Sequence, residues 1–148
     1  MEYKNVTSSY KETKVKTASQ GQLIIMLYDE VIRQLNKAVE LLDLNNKQKK
    51  DPGRIEQISK AVMKAEEIIT ELMVSLDFEQ GGEISKNLFS LYTWFNRELL
   101  DANITQDIHR MLTVKDMISD LRNAWGTIAS KHTAESAKHE AVGLNIDG

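Results

Sequence analysis

Apolar residues recur at alternating three- and four-residue intervals in four separate stretches of this chain, and no stretch alternates with a period of two. That spacing puts one apolar seam on a helix and none on a strand. The first seam runs Ile24, Leu27, Tyr28, Val31, Leu35, Ala38, Leu42. The second runs Ile55, Ile58, Val62, Ala65, Ile69, Leu72, Leu76. The third is Ile84, Leu88, Leu91, Tyr92, Phe95, Leu99, Ala102, and the fourth Met111, Val114, Ile118, Leu121, Trp125, Ile128. Boundary signals agree. Ser19 and Gln22 have the spacing of a capping box. Asp51 suits an N-cap, with Pro52 in the first helical position where its missing N–H costs nothing. Asn103 is a plausible residue to follow the third helix. Short connections make neighbouring helices antiparallel. The expectation is an all-α, antiparallel up-down-up-down four-helix bundle over residues 19–130. Residues 1–18 form a short mobile N-terminal segment, and 131–148 a mobile polar tail without a sustained seam.

Length and composition narrow the classes. One domain with a real core suits 148 residues, and 41% hydrophobic against 28% charged is an ordinary soluble balance. The chain has no cysteine, so no disulfide framework is possible. No apolar run opens it and none approaches a membrane span, so neither a signal peptide nor membrane insertion is expected, and the place is the cytosol. Net charge is −3 with no basic stripe, which makes nucleic acid a poor partner.

The stretch SLDFEQGGEISKNLFSLY, residues 75–92, poses a choice. Its glycine pair, Gly81-Gly82, stands beside a helix start, where backbone N–H groups can cradle a phosphate. A phosphate loop needs a Gly-Lys-Ser/Thr ending after a strand, and this stretch has neither. Glu83 would repel an anion. The glycines are expected to end the second helix and free the chain to reverse.

Helical bundles also hold metals, and the residues speak against it here. A di-iron site wants Glu-x-x-His on two helices, and no glutamate has a histidine three residues on. His132 and His139 fall in the polar tail. His109, followed by Arg110, is the one enzyme-like alternative: a histidine phosphotransfer bundle, though the glycine such a site wants is missing. No Cys/His or Ser/His/Asp arrangement is legible, and Glu66 and Glu67 are adjacent in sequence and point to different parts of the helix surface. No cofactor, no metal and no enzymatic activity are expected.

The informative feature is an excess of apolar surface. On the first helix Met26 points away from the seam, and Ile25, Ile32 and Val39 form a flanking stripe. On the third, Phe89 flanks the seam and Trp94 lies well off it, and on the fourth Leu112 points away. A bundle needs a stripe rather than a sleeve. Two readings stand: boundary positions covered by the chain's own ends, or a groove for a partner. In the N-terminal segment Tyr3, Val6 and Tyr10 have helical spacing among residues that form helix poorly. Such a segment suits a lid over an apolar surface, or a frayed end.

Several runs, taken in order, resemble a known family. They are Tyr10…Val15…Ala18-Ser19…Gln22-Leu23-Ile24…Met26-Leu27-Tyr28-Asp29, KAEEIITEL at 64–72, SLDFEQGGEISKNLFSLY, Leu99…Ala102-Asn103, and LRNAW at 121–125. From about Tyr3 to Ile128 the chain is similar to the flagellin-specific secretion chaperones, the FliS family. The resemblance implies a cytosolic, ATP-independent chaperone. It would bind the disordered C-terminal segment of flagellin, prevent premature polymerisation, and deliver the subunit to a component of the flagellar export gate. It further implies that an N-terminal segment, here carrying Tyr3, Val6 and Tyr10, covers part of the binding surface when flagellin is absent. Tyr10, Ile25, Met26, Ile32, Phe89, Trp94 and Leu112 are the candidate flagellin contacts. The chain departs from the family pattern at Gln20-Gly21, where proline is common, at Glu30, where glycine is common, and at Trp94-Phe95, where an aromatic-Met pair is usual.

Overall fold

A computed structural model describes the backbone of residues 19–147 and the side chains of 19–131. Four helices follow one another: α1 (Gln20–Lys47), α2 (Pro52–Val74), α3 (Phe78–Thr105) and α4 (Ile108–Asp147), with no strand among the described residues. The fold is an all-α four-helix bundle, as the spacing predicts. Residues 27–120 make one compact unit, and the chain up to Met26 with the chain from Leu121 makes another. α4 continues through the residues expected to form a polar tail. Tyr3, Val6 and Tyr10 lie outside the described residues.

The core of the 27–120 unit is built from the seams. Tyr28, Val31, Leu35 and Ala38 of α1, Ile58, Val62, Ala65 and Ile69 of α2, Phe95, Leu99 and Ala102 of α3, and Met111 and Val114 of α4 are all shut from solvent. At its centre the hydroxyls of Tyr28 and Tyr92 hydrogen-bond to each other across α1 and α3. Burial therefore leaves neither phenol without a partner, which would cost about 1–3 kcal/mol each, and it pushes the Tyr92 hydroxyl above its usual range.

Six seam residues, Ile24, Leu76, Leu88, Leu91, Leu121 and Trp125, are only half-buried, and three more are exposed. Ile55, Ile84 and Ile128 are 40%, 70% and 59% exposed. Ile55 and Ile84 sit in the first turns of α2 and α3, ahead of the buried stretch of their seams, and Ile128 lies midway along α4, beyond the buried Met111, Val114 and Ile118. Beside Ile84, Ser85 takes the inward place and donates its hydroxyl to the Asp77 carbonyl at 2.8 Å.

The caps show how the sequence stops and restarts each helix. The Ser19 N–H donates to Gln22 Oε1 and the Gln22 N–H to Ser19 Oγ, the reciprocal bonds of a capping box. Asp51 caps α2 by accepting from the Gly53 N–H, with Pro52 in the first turn. The Asp51 N–H in turn donates to buried Asn45 Oδ1, tying the end of α1 to the start of α2.

Two expected boundaries move. α2 ends at Val74, not at the glycines, and Asp77 opens α3 by accepting from the N–H groups of Glu79 and Gln80. Gly81 and Gly82 lie inside α3 and kink it: Gly82 has φ 50° and ψ −123°. Asp77 was available as a helix-opening cap, and a strong cap beats a glycine pair as a start signal. At the far end α3 runs past Asn103 to Thr105, and Gln106 takes the left-handed turn at φ 53°.

Candidate functional site

The surface that stands out lies along the outer side of α2 and α3. These two helices pack against each other, and two polar rungs fix their antiparallel register. The Ser59 hydroxyl donates to Asn103 Oδ1 at 3.1 Å, and Asn96 Nδ2 donates to Thr70 Oγ1 at 3.1 Å. Carried along both helices, that register sets Met63 level with Leu100 and Val74 level with Phe89. All four are exposed, at 55%, 51%, 81% and 43%. Ile104 extends the strip at one end, 72% exposed. At the other end the kink at Gly82 lets the first turn of α3 bring Phe78 edge-on to Phe89, their rings 5.9 Å apart. The glycines thus shape one end of this apolar strip.

Exposed apolar side chains scattered singly are unremarkable. Two groups of three on one side of two packed helices are different, because grouped exposed apolar side chains mark interaction sites. Each such side chain contributes about 1.5–3 kcal/mol when a partner buries it fully.

Polar atoms sit beneath this strip. The Thr70 hydroxyl turns back to the Glu66 carbonyl at 2.9 Å. Glu66 Oε1 and Asn96 Oδ1 are buried without a hydrogen-bond donor among the described residues. Burial alone pushes the Glu66 carboxyl above its ordinary value. On the α1 side the electrostatics are conventional. Glu30 accepts from Arg33 at 2.6 and 2.9 Å and from Gln34 Nε2 at 3.0 Å, and the Arg33 bond, most of all, holds its carboxyl below the usual range.

The expected contact residues take different places. Phe89 belongs to the strip. Trp94 stands five residues on, about 140° around the helix, and lies half-buried with its ring 5.8 Å from that of Phe95. Ile25, Met26 and Ile32 on α1 and Leu112 on α4 are half-buried. Met63, Val74, Phe78, Leu100 and Ile104 were missed by sequence reasoning. Their signal was an eleven-residue spacing, Met63 to Val74 and Phe89 to Leu100, which returns to nearly the same helix face after three turns.

His109 is exposed at the start of α4. Its N–H and that of Arg110 donate to Asp107 Oδ1, a helix cap, while the Arg110 guanidinium pairs with Glu98 at 3.2 Å. The cation beside His109 is thus engaged by a carboxylate. Among the described residues no group of three His, Cys, Asp or Glu side chains is placed to hold a metal, and no helix is long and apolar enough to cross a membrane.

Comparison with known proteins finds similarity to one family. The family model described as flagellar protein FliS matches residues 3–132. The flagellar secretion chaperone FliS of Escherichia coli (strain K12) is 36% identical, covering 77% of this chain and 79% of that one. The chaperone of the same name from Salmonella typhimurium (strain LT2) is 34% identical over 86% and 89%. That from Bacillus subtilis (strain 168) is 28% identical over 84% and 86%. A crystal structure of a bacterial flagellar chaperone shares the fold with a TM-score of 0.66 at 18% identity, covering 86% of this chain and 97% of that one. With the family model spanning nearly the whole chain and two relatives above 30% identity, this four-helix protein belongs to the FliS family of flagellar secretion chaperones.

Proposed function

We propose that this chaperone acts in the cytosol, without catalysis, by holding the C-terminal segment of flagellin against the α2–α3 strip until the subunit reaches the export apparatus. The observation that carries the reading is the strip itself: Met63, Leu100 and Ile104 toward one end and Val74, Phe78 and Phe89 toward the other, about three helical turns apart on the same side of α2 and α3, are large apolar side chains that the described residues leave exposed. Holding a segment that would otherwise assemble requires covering its apolar face. A disordered segment must offset an ordering cost of about 2–5 kcal/mol or more, and several large side chains buried together supply that. Ile25, Met26, Ile32, Trp94 and Leu112 are proposed as further contacts of a segment that wraps beyond the strip. Residues 3–10, with Tyr3, Val6 and Tyr10, are proposed as the lid that yields to it.

A pull-down of full-length chaperone with flagellin, intact or lacking its C-terminal segment, tests the reading. Capture of the intact subunit and loss of the truncated one is the expected result. Equal capture of both, or of neither, overturns it. Hydrogen exchange of residues 3–10 with and without flagellin tests the lid, and identical protection in the two states removes it.

A further inference from the structure

The strip carries a polar defect, and the defect has a direction. Glu66 sits on the flank of α2 that faces α3, one turn from Thr70. The Asn96 amide nitrogen is committed to Thr70 Oγ1, so its oxygen is the group left to face elsewhere. The register places Glu66 of α2 level with Asn96 of α3, near the middle of the strip. Each presents an acceptor, Glu66 Oε1 and Asn96 Oδ1, that is buried and meets no donor among the described residues. An ionised carboxylate and an amide oxygen only accept, so neither can satisfy the other. A buried unsatisfied acceptor lowers stability, so an apolar residue at either place would make a more stable bundle. Each residue keeps part of its surface open to solvent while the acceptor atom itself is shut from it, so receiving an incoming group requires the Glu66 and Asn96 side chains to turn outward.

Resting on the reading of the strip as the flagellin site, we infer that Glu66 and Asn96 together receive a basic side chain, arginine or lysine, carried on the apolar face of the bound segment. The chemistry selects a cation. One carboxylate on α2 and one amide oxygen on α3 are two acceptors, which a guanidinium fork bridges with separate N–H groups. A carboxylate on the segment would be repelled, and an apolar residue there would leave both acceptors unmet. The apolar strip supplies affinity, while the acceptor pair sets the register in which the segment lies on it. A segment shifted by one residue turns its basic side chain away and leaves both acceptors covered and unsatisfied, which is how a buried polar pair discriminates.

The test uses the full-length chaperone and a synthetic peptide of the C-terminal segment of the same bacterium's flagellin, with binding isotherms and thermal melts side by side. Glu66→Leu and Asn96→Leu are each expected to raise the melting temperature and yet weaken peptide binding about 10- to 100-fold, the loss of a charge-assisted hydrogen bond. Glu66→Gln, which keeps shape and one acceptor but not charge, should weaken binding less. Replacing the peptide's Lys and Arg residues by Met one at a time should identify one whose loss equals that of Glu66→Leu and adds nothing to it. A mere packing role predicts that stability and binding rise together. If Glu66→Leu tightens binding or leaves it unchanged, or if no basic residue of the peptide couples to it, the inference is wrong while the strip stands as the site. If Glu66→Leu alters self-association and not peptide binding, the occupant is a second copy and the inference is again wrong. If the wild-type chain does not bind the peptide, the proposed function fails first and takes this inference with it.

Discussion

Gly81 and Gly82 are neighbours that need to be glycine for different reasons. A Cβ on Gly81 would lie 1.8 Å from Ser85 Oγ and 2.9 Å from Ser85 Cβ, so its constraint is steric. A Cβ on Gly82 would meet nothing within 4 Å, but the backbone stands at φ +50°, so its constraint is conformational. Gly82→Ala is therefore expected to cost about 1–3 kcal/mol through backbone strain, and no neighbouring substitution should relieve it. Gly81→Ala displaces the Ser85 hydroxyl from the Asp77 carbonyl, and part of its cost should be recovered in Gly81→Ala/Ser85→Ala, since the nearest clashing atom is then gone. Urea melts of the four variants in a double-mutant cycle read this directly; a cost at Gly81 unaffected by Ser85→Ala would refute the steric account. The charged residues make a second prediction. Burial raises the Glu66 carboxyl above its ordinary value of 4.5, so the native state favours the protonated form. That contribution is present below the ordinary value and is lost as pH rises through the raised one. Glu30 runs the other way. Its carboxyl is lowered first of all by the Arg33 bond, so its contribution is present above the ordinary value and is lost as pH falls through the lowered one. The melting temperature of Glu66→Gln should therefore exceed that of the wild type at neutral pH, with the gap closing as the solution is acidified. A gap that stays constant or widens toward acid pH would show that the Glu66 carboxyl is not the cause.

At the scale of the helix, one element presents two faces with different duties, and α3 shows it most plainly. Tyr92, Phe95, Leu99 and Ala102 face the core, while Phe89, Leu100 and Ile104 face solvent on the strip. Trp94 does neither fully: it is half-buried against Phe95. Leu100→Ala is accordingly expected to leave the melting temperature within a few degrees of wild type while weakening flagellin binding by about 1 kcal/mol or more, within the usual range for truncation of an interface residue. Phe89→Ala should follow the same pattern with a somewhat larger loss of stability, because its ring also packs on Phe78. Leu99→Ala, fully buried one position away, should cost about 2–5 kcal/mol of stability. If Leu100→Ala unfolds the protein as Leu99→Ala does, the strip is core and the division of faces is wrong. The seam residues were readable from sequence because a core imposes one direction on each helix and the three-four spacing records it. The strip was harder to read because it lies on two helices at once. Neither Met63 alone nor Leu100 alone differs from a stray exposed apolar residue, and only the register set by Ser59–Asn103 and Thr70–Asn96 puts them side by side. The glycine pair misled for a related reason. It is a genuine break in helical geometry, but Asp77 had already opened the helix, so the break became a kink within α3 instead of a boundary.

For the whole molecule, the question is what this apolar strip, open among the described residues, does when neither a partner nor the proposed lid covers it. The order and spacing of short runs along the chain were enough to point to the family, whereas the strip proposed as its binding surface emerges only when α2 and α3 are packed. Exposed apolar side chains grouped in this way favour association between copies, since the same transfer of apolar area out of water drives both that and partner binding. The net charge of −3 offers little repulsion against it. The free chaperone is therefore expected to self-associate with rising concentration, and the flagellin segment should return it to the mass of a one-to-one complex, because segment and second copy compete for one strip. Placing charge on the strip separates this from association through any other surface. In Met63→Glu/Leu100→Glu the two carboxylates stand level with each other across the strip. Both positions are more than half exposed, so folding should survive. Self-association and segment binding should be lost together. Light scattering over a concentration series, with circular dichroism to show the helices intact, measures both. Loss of segment binding with self-association unchanged would mean that copies meet elsewhere. Retention of both would mean that the strip covers nothing, and the segment would then have to be sought on the half-buried residues of α1 and α4, around Ile25, Met26, Ile32 and Leu112.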